Sequence, residues 1–383
     1  MEKPIMLKGI QIIDLTTIIF GPYGTQMLAD MGADVVKIEA PGGDRFRQMG
    51  KPAKNPGMGG CHMTLNRGKR SVELDLKSPE HLNSLKSLLA TADVFVHNIR
   101  DKAANRLGLD FESINSINPN IIYVHCTGFA SGGPYSELQA YDDVIQAASG
   151  AVSLTCRTGV GSSPTYIPSA IADKIAGQYL SSAILAATIH KLRTGEGQKV
   201  EVPMFEAFTH FLLEEHLYGA TFDPPTGPLC YERQIDPNRQ PYRTFDGYLS
   251  IVPYTDPSLL RLFDVLGHPE ALMREEFSTP ELRRANMSQI FKIIGTLTEA
   301  RTTADWMNRL IEAQIPAMPV RDIQDIFNDP HLKATGFFRR RVHPTEGPYF
   351  EMQPPIRFGA MPDFELRPAP RLGEHNEELI DSN

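Results

Sequence analysis

A single carboxylate stands out as a candidate for chemistry in the middle of the chain. Asp173 lies in the stretch "SAIADKIAG", between small and apolar residues, at a point where a helix is predicted to begin. Aspartate is a preferred residue at helix N-termini, so one interpretation is a structural cap. Ala176 stands where a capping box would have Glu or Gln, which weakens that interpretation. The residues alone leave two alternatives open, a cap or a carboxylate presented for function.

Familiar cofactor and hydrolase motifs are missing from the sequence. The first strand is followed by "TIIFGPYG" rather than G-x-G-x-x-G, which disfavours a nicotinamide or flavin cofactor although Glu39 ends the second strand. Met63 occupies the place of the leading glycine of a P-loop before Gly68 and Lys69. Ser131, in "GFASGG", lacks the spacing of a nucleophile elbow. These three classes of site are therefore not predicted.

A metal site is not predicted either. The stretch "HFLLEEH" contains His210 and His216, but on a helix a separation of six residues turns two side chains about 240° apart. An i,i+4 pair would share one face, as zinc ligands on a helix do, and this pair cannot. Two half-exposed helix histidines are the better interpretation.

A basic cluster interrupts an otherwise acidic chain of 383 residues with a formal net charge of -8. The cluster is Arg45, Arg47, Lys51, Lys54, Arg67, Lys69 and Arg70. One interpretation is a solvated surface; the other is a site for a phosphate-bearing ligand, because loops at the carboxyl ends of parallel strands bind anions. No long Lys/Arg block is present, so we expect neither nucleic acid nor an anionic membrane as a partner.

The cysteines and the apolar segments bear on location. Cys61, Cys126, Cys156 and Cys230 are far apart and form no C-x-x-C pair, which is typical of reduced thiols in a cytoplasm. The N-terminal residues contain no apolar core long enough for a signal peptide, and the most apolar later stretch, "YLSSAILAATIHKL", is too short to span a bilayer. We therefore expect a soluble cytoplasmic protein.

Alternating strand and helix patterns must position the candidate residues. The strand patterns are "IQIIDLT", "ADVVKIEA", "SVELDL", "DVFVHNI", "NIIYVHCTGF" and "KVEVPM", and helical patterns separate them. This alternation predicts a Rossmann-like α/β domain, with a parallel sheet and helices on both of its faces.

The sequence changes character after residue 220. A stretch rich in Pro, Gly and Asp leads into a strand-turn-strand pattern around Asp246 and Gly247, and amphipathic helices such as "SLLRLFDVLG" and "TADWMNRLIEAQ" follow. We predict a large Rossmann-like domain over 1–220, completed by 325–383 from the C-terminus. We predict a smaller α+β domain, with its linkers, over 221–324.

Several segments together resemble the class III CoA-transferase family, also called CaiB/BaiF, a superfamily that includes formyl-CoA transferases and α-methylacyl-CoA racemases. The opening "LKGIQIIDLTTIIFGPYGTQMLADMGADVVKIEAPGGD" and the later "NRGKRSVELDLK", "ADVFVHNIR", "IADKIAG" and "RTGEGQKVEVPM" follow in that family's order and spacing. The resemblance implies a Rossmann-like domain built from both chain ends and a small inserted domain. It also implies a homodimer of two chains interlocked as rings.

The resemblance implies a reaction as well. Asp173 matches the family's nucleophile, which would attack an acyl-CoA thioester and move CoA to a small organic carboxylate through an aspartyl anhydride and an aspartyl-CoA thioester. Succinyl-CoA or a similar ester is the default donor, and CoA enters as a substrate, with no metal and no permanently bound cofactor. An aspartate with an ordinary pKa of about 3.9 would be ionised at neutral pH, and a helix N-terminus would favour that charge. The small Ala172, Ala176 and Gly177 would leave room for the thioester.

Matching the family's CoA contacts residue by residue gives Leu74, Asn98, Ile99, Arg106 and Tyr141, with Arg70 and Lys77 as further candidates. The pattern departs from that of the oxalate-using members at Ile19, in place of a glutamine, at Ala40, in place of a basic residue, and at Gln139, in place of a lysine. These departures argue against oxalate as the acceptor and towards a less polar acyl group.

Two alternatives accompany the transferase prediction. Racemases of the family pair the aspartate with a histidine so that two bases exchange the α-proton, and Tyr141 occupies that position here. A phenol with a pKa of about 10 is a poor partner for that exchange, which favours CoA transfer over epimerisation. The other alternative is a CoA-binding homologue without turnover.

Overall fold

Six parallel strands form the central sheet of the computed structural model, which describes residues 5–159, 163–360, 362 and 365–380. In chain order they are β1 (Gln11–Leu15), β2 (Asp34–Glu39), β3 (Arg70–Glu73), β4 (Val94–His97), β5 (Ile122–Thr127) and β6 (Gln198–Pro203). Their order in the sheet is β3-β2-β1-β4-β5-β6, so it reverses between β1 and β4. Ligands of doubly wound sheets bind at the carboxyl ends of the strands beside such a reversal. The predicted Rossmann-like fold is confirmed.

Helices cover both faces of this sheet. In chain order, the first nine helices of the protein are α1 (Phe20–Asp30), α2 (Gly60–Leu65), α3 (Pro79–Thr91), α4 (Asp101–Leu107), α5 (Phe111–Ile117), α6 (Asp142–Ala148), α7 (Ala151–Arg157), α8 (Ile171–Thr194) and α9 (Met204–His216). Of these, α7 belongs, apart from Ala151, to the second compact unit described below. One apolar core joins the strands to α1, α8 and α9, and a second joins them to α3 and α5. Because β4 is buried on both faces, it is made of a continuous apolar run rather than an alternating one.

Helices α1 and α8 approach each other closely because glycines lie where they meet. A Cβ atom added to Gly177 would lie 2.9 Å from the Phe20 carbonyl oxygen, and one added to Gly24 would lie 2.8 Å from the Gly177 carbonyl oxygen. Ala172 and Ala176 are fully buried in the same core. The expectation that these small residues leave room for a thioester is therefore wrong, because they bring the first turns of α8 against the start of α1.

The chain divides into two compact units. Unit 1 comprises Met1–Ala151, Tyr166–Leu213 and Pro330–Asn383, and unit 2 comprises Val152–Thr165 and Glu214–Asp329. The domain limits expected at 220/221 and 324/325 stay predictions. Among the described residues, no helix combines the length and apolar character needed to cross a membrane.

Unit 2 contains short helices and a small antiparallel sheet. Its helices are α7 from its second residue onwards, α10 (Glu232–Ile235), α11 (Asp256–Leu266), α12 (Pro280–Ala285), α13 (Met287–Thr298) and α14 (Thr303–Glu312). Its strands are β7 (Tyr242–Arg243), β8 (Tyr248–Ile251) and β9 (Ala317–Pro319). The turn between β7 and β8 contains Asp246 and Gly247, as predicted. Trp306 is buried in the core of this unit and donates its indole N–H to the Thr298 carbonyl at 2.7 Å.

The C-terminal segment returns to the sheet of unit 1. It contains α15 (Pro330–Ala334), the antiparallel hairpin of β10 (Phe338–His343) and β11 (Gly347–Met352), and α16 (Asn376–Leu379). The His375 N–H donates to the Ser71 carbonyl at 3.0 Å, and the Asn376 side chain accepts the Glu73 N–H at 2.9 Å. These bonds satisfy backbone groups of β3, the strand at one edge of the sheet.

Candidate active site

A cavity of about 670 Å³ opens at the carboxyl ends of β1, β4 and β5. Five of the predicted site residues line it together: Asn98, Ile99, Arg106, Tyr141 and Asp173. The remaining wall comes from the loop after β1, the start of α4, the end of β5, the loop before α6 and Met204. All of these residues belong to unit 1. The cavity lies where the reversal of strand order predicts a ligand site.

The other three predicted contacts lie outside this cavity wall. Leu74 is buried in an apolar core, with 1% of its surface exposed. Arg70 is largely buried and donates to Asp34 and, at 2.8 Å, to Glu378. Lys77 is exposed in the segment after β3. Their assignment as CoA contacts stays a prediction.

Asp173 is the third residue of α8, and it does not cap that helix. The N-cap position is Ala170, and the cap is supplied from another helix. Asp142, the first residue of α6, accepts the backbone N–H groups of Ala172 and Asp173 on one carboxylate oxygen, at 2.7 and 3.2 Å. The structural-cap interpretation of Asp173 is therefore wrong, and the Asp173 carboxylate remains available to the cavity.

The electrostatics of Asp173 differ from those expected for an aspartate at a helix start. Burial, with only 6% of the residue exposed, and the neighbouring Asp142 carboxylate raise the pKa of Asp173 to about 7. The nearby Phe20 N–H and the Lys174 ammonium oppose that rise. Since Asp142 accepts the free amides of α8, the helix N-terminus does not hold Asp173 fully ionised at neutral pH. The expectation of an ordinary low pKa is wrong.

The side-chain amide of Asn98 forms hydrogen bonds within the protein. Its amide accepts the Thr17 N–H at 3.3 Å and donates to the Thr17 carbonyl at 3.3 Å. Because Thr17 follows β1 and Asn98 follows β4, this pair of bonds joins the two loops on either side of the strand-order reversal. Both residues line the cavity, so Asn98 shapes the wall even with its amide occupied.

Two stacked histidines hold the main chain of Ile99. The Ile99 N–H donates to His97 Nδ1 at 3.2 Å. The ring of His125 stacks on that of His97 and donates its Nε2–H to the Ile99 carbonyl at 2.9 Å. Burial, with a further contribution from His125, holds the pKa of His97 well below its usual range. The sequence analysis missed both residues, although "VFVH" and "IYVH" each place a histidine near the carboxyl end of a strand.

Exposed cations line the same cavity. They are Arg100, Lys102 and Arg106, from the start and the last turn of α4. Lys102 Nζ lies 2.6 Å from a carboxylate oxygen of Glu137 in the loop before α6, and both side chains are exposed. An exposed ion pair of this kind contributes little to stability. Lys102 can therefore give up the Glu137 carboxylate for the anion of a ligand.

Three of the seven cations in the basic cluster are buried in ion pairs. Arg47 pairs with Glu39, Arg67 with Asp30 and Lys69 with Asp14, and these six side chains are buried or nearly so. The hypothesis that the cluster as a whole binds an anionic ligand is therefore wrong for Arg47, Arg67 and Lys69. Their charges are already paired inside the protein, where an unpaired charge would be costly.

Two further residues bear on the sequence comparison with oxalate-using enzymes. Gln139 lines the cavity, whereas Ile19 is not among the lining residues, although its neighbours Ile18 and Phe20 are.

Asp142 was not predicted as a site residue. The sequence feature that could have indicated it is the Asp pair before the apolar pattern "VIQAA", which is typical of a helix start.

Comparison with known proteins agrees with this geometry. The model of CoA-transferase family III matches residues 7–376. A succinate–glutarate CoA-transferase of Agrobacterium fabrum is 34% identical over 98% of this chain and 94% of its own length. A formyl-CoA:oxalate CoA-transferase of Rhodopseudomonas palustris is 31% identical over 98% of this chain and 92% of its own length. The crystal structure of a CaiB/BaiF family protein from Brucella suis is 30% identical, covers both chains completely and superposes with a TM-score of 0.82.

Proposed function

The chain belongs to CoA-transferase family III and is a CoA-transferase, and from this premise we propose that Asp173 is the nucleophile that moves CoA from an acyl-CoA donor to a small organic carboxylate. One observation carries the proposal. Asp173 is a buried carboxylate in the wall of a cavity that Arg100, Lys102 and Arg106 also line. A carboxylate nucleophile and cations for the phosphates of CoA are the two requirements of the reaction.

In the proposed reaction the ionised Asp173 carboxylate attacks the thioester carbonyl of the donor. The C–S bond breaks, its electron pair leaves on the CoA thiolate, and Asp173 becomes a mixed anhydride. The thiolate then attacks the Asp173 carbonyl carbon, which releases the donor acid as a carboxylate and joins CoA to Asp173 as a thioester. The acceptor carboxylate attacks that thioester, and the freed thiolate takes the acyl group from the new anhydride. No net proton is taken up, so the exchange needs no separate acid or base.

The surroundings of Asp173 support this role. Burial removes water from the carboxylate, which strengthens its electrostatic interactions and protects the anhydride from hydrolysis. The Phe20 N–H lies near the carboxylate and favours its charged form. After acylation we expect the same N–H to stabilise the oxyanion that forms when the thiolate attacks the Asp173 carbonyl carbon.

For the substrates we propose succinyl-CoA or a similar ester as the donor and a small dicarboxylate other than oxalate as the acceptor. Ile18, Phe20 and Met204 line the cavity together with Asp173. Such side chains suit a short acyl chain better than a formyl or oxalyl group. The name of the Agrobacterium fabrum relative, a succinate–glutarate CoA-transferase, supports the same class of acid.

We also propose that two chains interlock as a homodimer in the cytoplasm. The family resemblance supports the dimer, and unit 1 draws on both ends of the chain as that resemblance implies. The four cysteines are all free thiols, which supports a reducing compartment.

Mass spectrometry of the products tests the proposed function directly. The protein is incubated with succinyl-CoA and a set of dicarboxylates in deuterated water, and new acyl-CoA esters are measured. A new acyl-CoA without deuterium at its α-carbon supports transfer. Deuterium at that carbon without a new ester would instead point to the epimerase alternative, and CoA binding with neither product to a binding protein.

The activity is expected to rise with pH through about 7, because only the ionised Asp173 attacks and burial raises its pKa to about 7. At pH 5.5 the kcat/KM for the acyl-CoA should be roughly thirtyfold below its plateau, since about 3% of the carboxylate is then ionised. The measurement is kcat/KM from pH 5.5 to 9 at constant ionic strength. A profile that stays flat down to pH 5.5 would contradict the raised pKa.

Arg106→Ala is expected to raise the KM for acyl-CoA about tenfold with little change in kcat, because phosphate contacts position the ester and do not take part in the reaction. Steady-state kinetics at saturating acceptor checks it. Arg193→Ala is the matched control, since Arg193 is an exposed arginine in the last turn of α8, at the opposite end of that helix from Asp173, and does not line the cavity. An equal rise in KM for both variants would mean that the loss of any positive charge weakens binding and that Arg106 has no special place in it.

A further inference from the structure

The loop between β1 and α1, residues 16–19, is held by side chains from several parts of the chain. The Thr16 N–H donates to Asp14 at 3.0 Å, and Lys37 of β2 donates to the Thr16 carbonyl at 2.9 Å. The Ile18 N–H donates to Asp44 at 3.0 Å. Together with the amide of Asn98 on Thr17, these bonds fix the loop residue by residue.

The loop needs this support because Ile18 is strained. Its φ of 71° lies in the left-handed region, which a β-branched residue rarely adopts. Such a conformation persists only where the surrounding structure enforces it, and it is found preferentially at functional sites. Two residues later comes Phe20, which lines the cavity together with Asp173 and whose carbonyl oxygen packs against Gly177, one turn further along α8. The Phe20 N–H lies near enough to the Asp173 carboxylate to lower its pKa. The conformation of Ile18 therefore sets the path by which the backbone of Phe20 passes Asp173.

A buried ion pair provides the enforcing contact. Lys37 Nζ lies 3.3 Å from Asp44 Oδ2, and the two side chains are 0% and 3% exposed. The same Oδ2 atom accepts the Ile18 N–H, whereas Oδ1 accepts the Phe46 N–H at 2.9 Å and caps the short 3-10 helix Arg45–Gln48. One carboxylate oxygen thus joins the ammonium group of Lys37 to the strained residue of the loop.

We propose that Lys37 and Asp44 are positioning residues for the nucleophile: they hold Ile18 in its left-handed conformation and so keep the backbone N–H of Phe20 beside the Asp173 carboxylate. This inference rests on the proposed function of Asp173. Neither residue lines the cavity, so neither is expected to touch substrate.

The pH dependence separates this role from a simple charge effect. The ionisable groups that act on the pKa of Asp173 are Asp142 of α6, which raises it, and Lys174 of α8, which lowers it; the Phe20 N–H of α1 also lowers it. Moving the Phe20 N–H away from the carboxylate would raise the pKa of Asp173. Removal of the negative charge of Asp44 would by itself lower that pKa. The two effects have opposite signs.

Asp44→Asn is the informative variant. Its amide oxygen can still accept the Phe46 N–H, but its NH₂ group then faces two donors, the Ile18 N–H and Lys37 Nζ. We expect the acidic midpoint of kcat/KM to move up by roughly half a pH unit or more. We expect kcat to fall on the order of 10- to 100-fold, with the KM for acyl-CoA within about twofold, because the nucleophile is misdirected while the binding surface is unchanged.

Asp30→Asn is the matched control, because Asp30 forms an ion pair of similar burial with Arg67, at 2.6 Å, outside the loop. It should lower the melting temperature without moving the midpoint. Should Asp44→Asn fail to fold, Asp44→Ser retains a short capping hydroxyl and places no NH₂ group opposite the two donors. For either variant of Asp44, an upward shift supports the inference, and an unchanged or lowered midpoint overturns it.

Trapping with hydroxylamine keeps this inference distinct from the proposed function. Wild-type protein that is turning over succinyl-CoA should yield a hydroxamate on Asp173, identified by peptide mass spectrometry. If no adduct forms there, the proposed nucleophile fails, and the positioning role fails with it. If the wild type forms the adduct and the Asp44 variant keeps its midpoint, the positioning role alone is overturned.

Discussion

Asp173→Asn is expected to abolish CoA transfer, with kcat reduced by at least about 10⁴-fold, because an amide cannot form the anhydride through which the acyl group and CoA exchange. The measurement is the rate of new acyl-CoA formation from succinyl-CoA and a dicarboxylate acceptor. Asp143→Asn is the matched control, since Asp143 is the exposed acidic neighbour of Asp142 on α6 and should keep full activity. Wild-type-like turnover by Asp173→Asn would overturn the proposed mechanism.

The same substitution should make the protein more stable at neutral pH. Burial and Asp142 raise the pKa of Asp173 to about 7 in the folded protein, above the value of about 3.9 in an unfolded chain. The unfolded chain therefore releases this proton first, and stability is lost as the pH rises from about 4 to about 7. Asparagine does not ionise, so the Asp173→Asn variant has no such loss. The free energy of unfolding of the variant should exceed that of wild type by up to about 4 kcal/mol at pH 8. The gain should vanish near pH 4, and denaturant unfolding at both pH values checks it.

Gly177→Val is expected to have the largest structural effect, lowering the free energy of unfolding by about 3 kcal/mol or more. The first added carbon alone would lie 2.9 Å from the Phe20 carbonyl oxygen, which belongs to the backbone of α1 and cannot move aside cheaply. Because this contact lies one turn after Asp173, separating the helices also removes the Phe20 N–H from the carboxylate. We expect transfer to fall by at least about 100-fold in whatever fraction remains folded.

Ala186→Val controls for the change of residue type in the same helix. Ala186 is exposed on α8, so its substitution should cost well under 1 kcal/mol, the difference in helix propensity. Thermal and denaturant unfolding of both variants, with activity measured on the folded fraction, checks the pair. Equal stability of Gly177→Val and Ala186→Val would mean that the close approach of α1 and α8 is not required.

The order of the elements was readable from the sequence because it depends on local periodicity. Continuous apolar runs predicted β1, β2, β4 and β5, and the alternation with helices predicted a parallel sheet covered on both faces. Short helices such as α4 and α6 were not predicted, because seven residues contain too few apolar repeats to show a helical period. The residues after β4, Asn98 and Ile99, were placed at a ligand site because parallel strands end on the same edge of the sheet.

The basic cluster shows that neighbouring charges in a sequence do not by themselves predict a binding surface. Seven cations close together suggested a surface for an anion, but four of them, Arg70 included, are paired with carboxylates of the same chain. Arg47 meets Glu39 after eight residues, whereas Lys69 meets Asp14 after fifty-five. A sequence shows that charges are present, and only the fold shows which are paired.

Local sequence patterns were enough to predict the α/β class, to support the family resemblance and to indicate Asp173 as a functional residue. How Asp173 behaves depends on the folded chain. Asp142 rather than Asp173 caps α8, and the pKa of Asp173 lies near 7 rather than near its ordinary value. The physical reason is that burial and electrostatic interaction are sums over neighbours such as Phe20 and Asp142, which are distant in sequence and meet only where α1, α6 and α8 pack together.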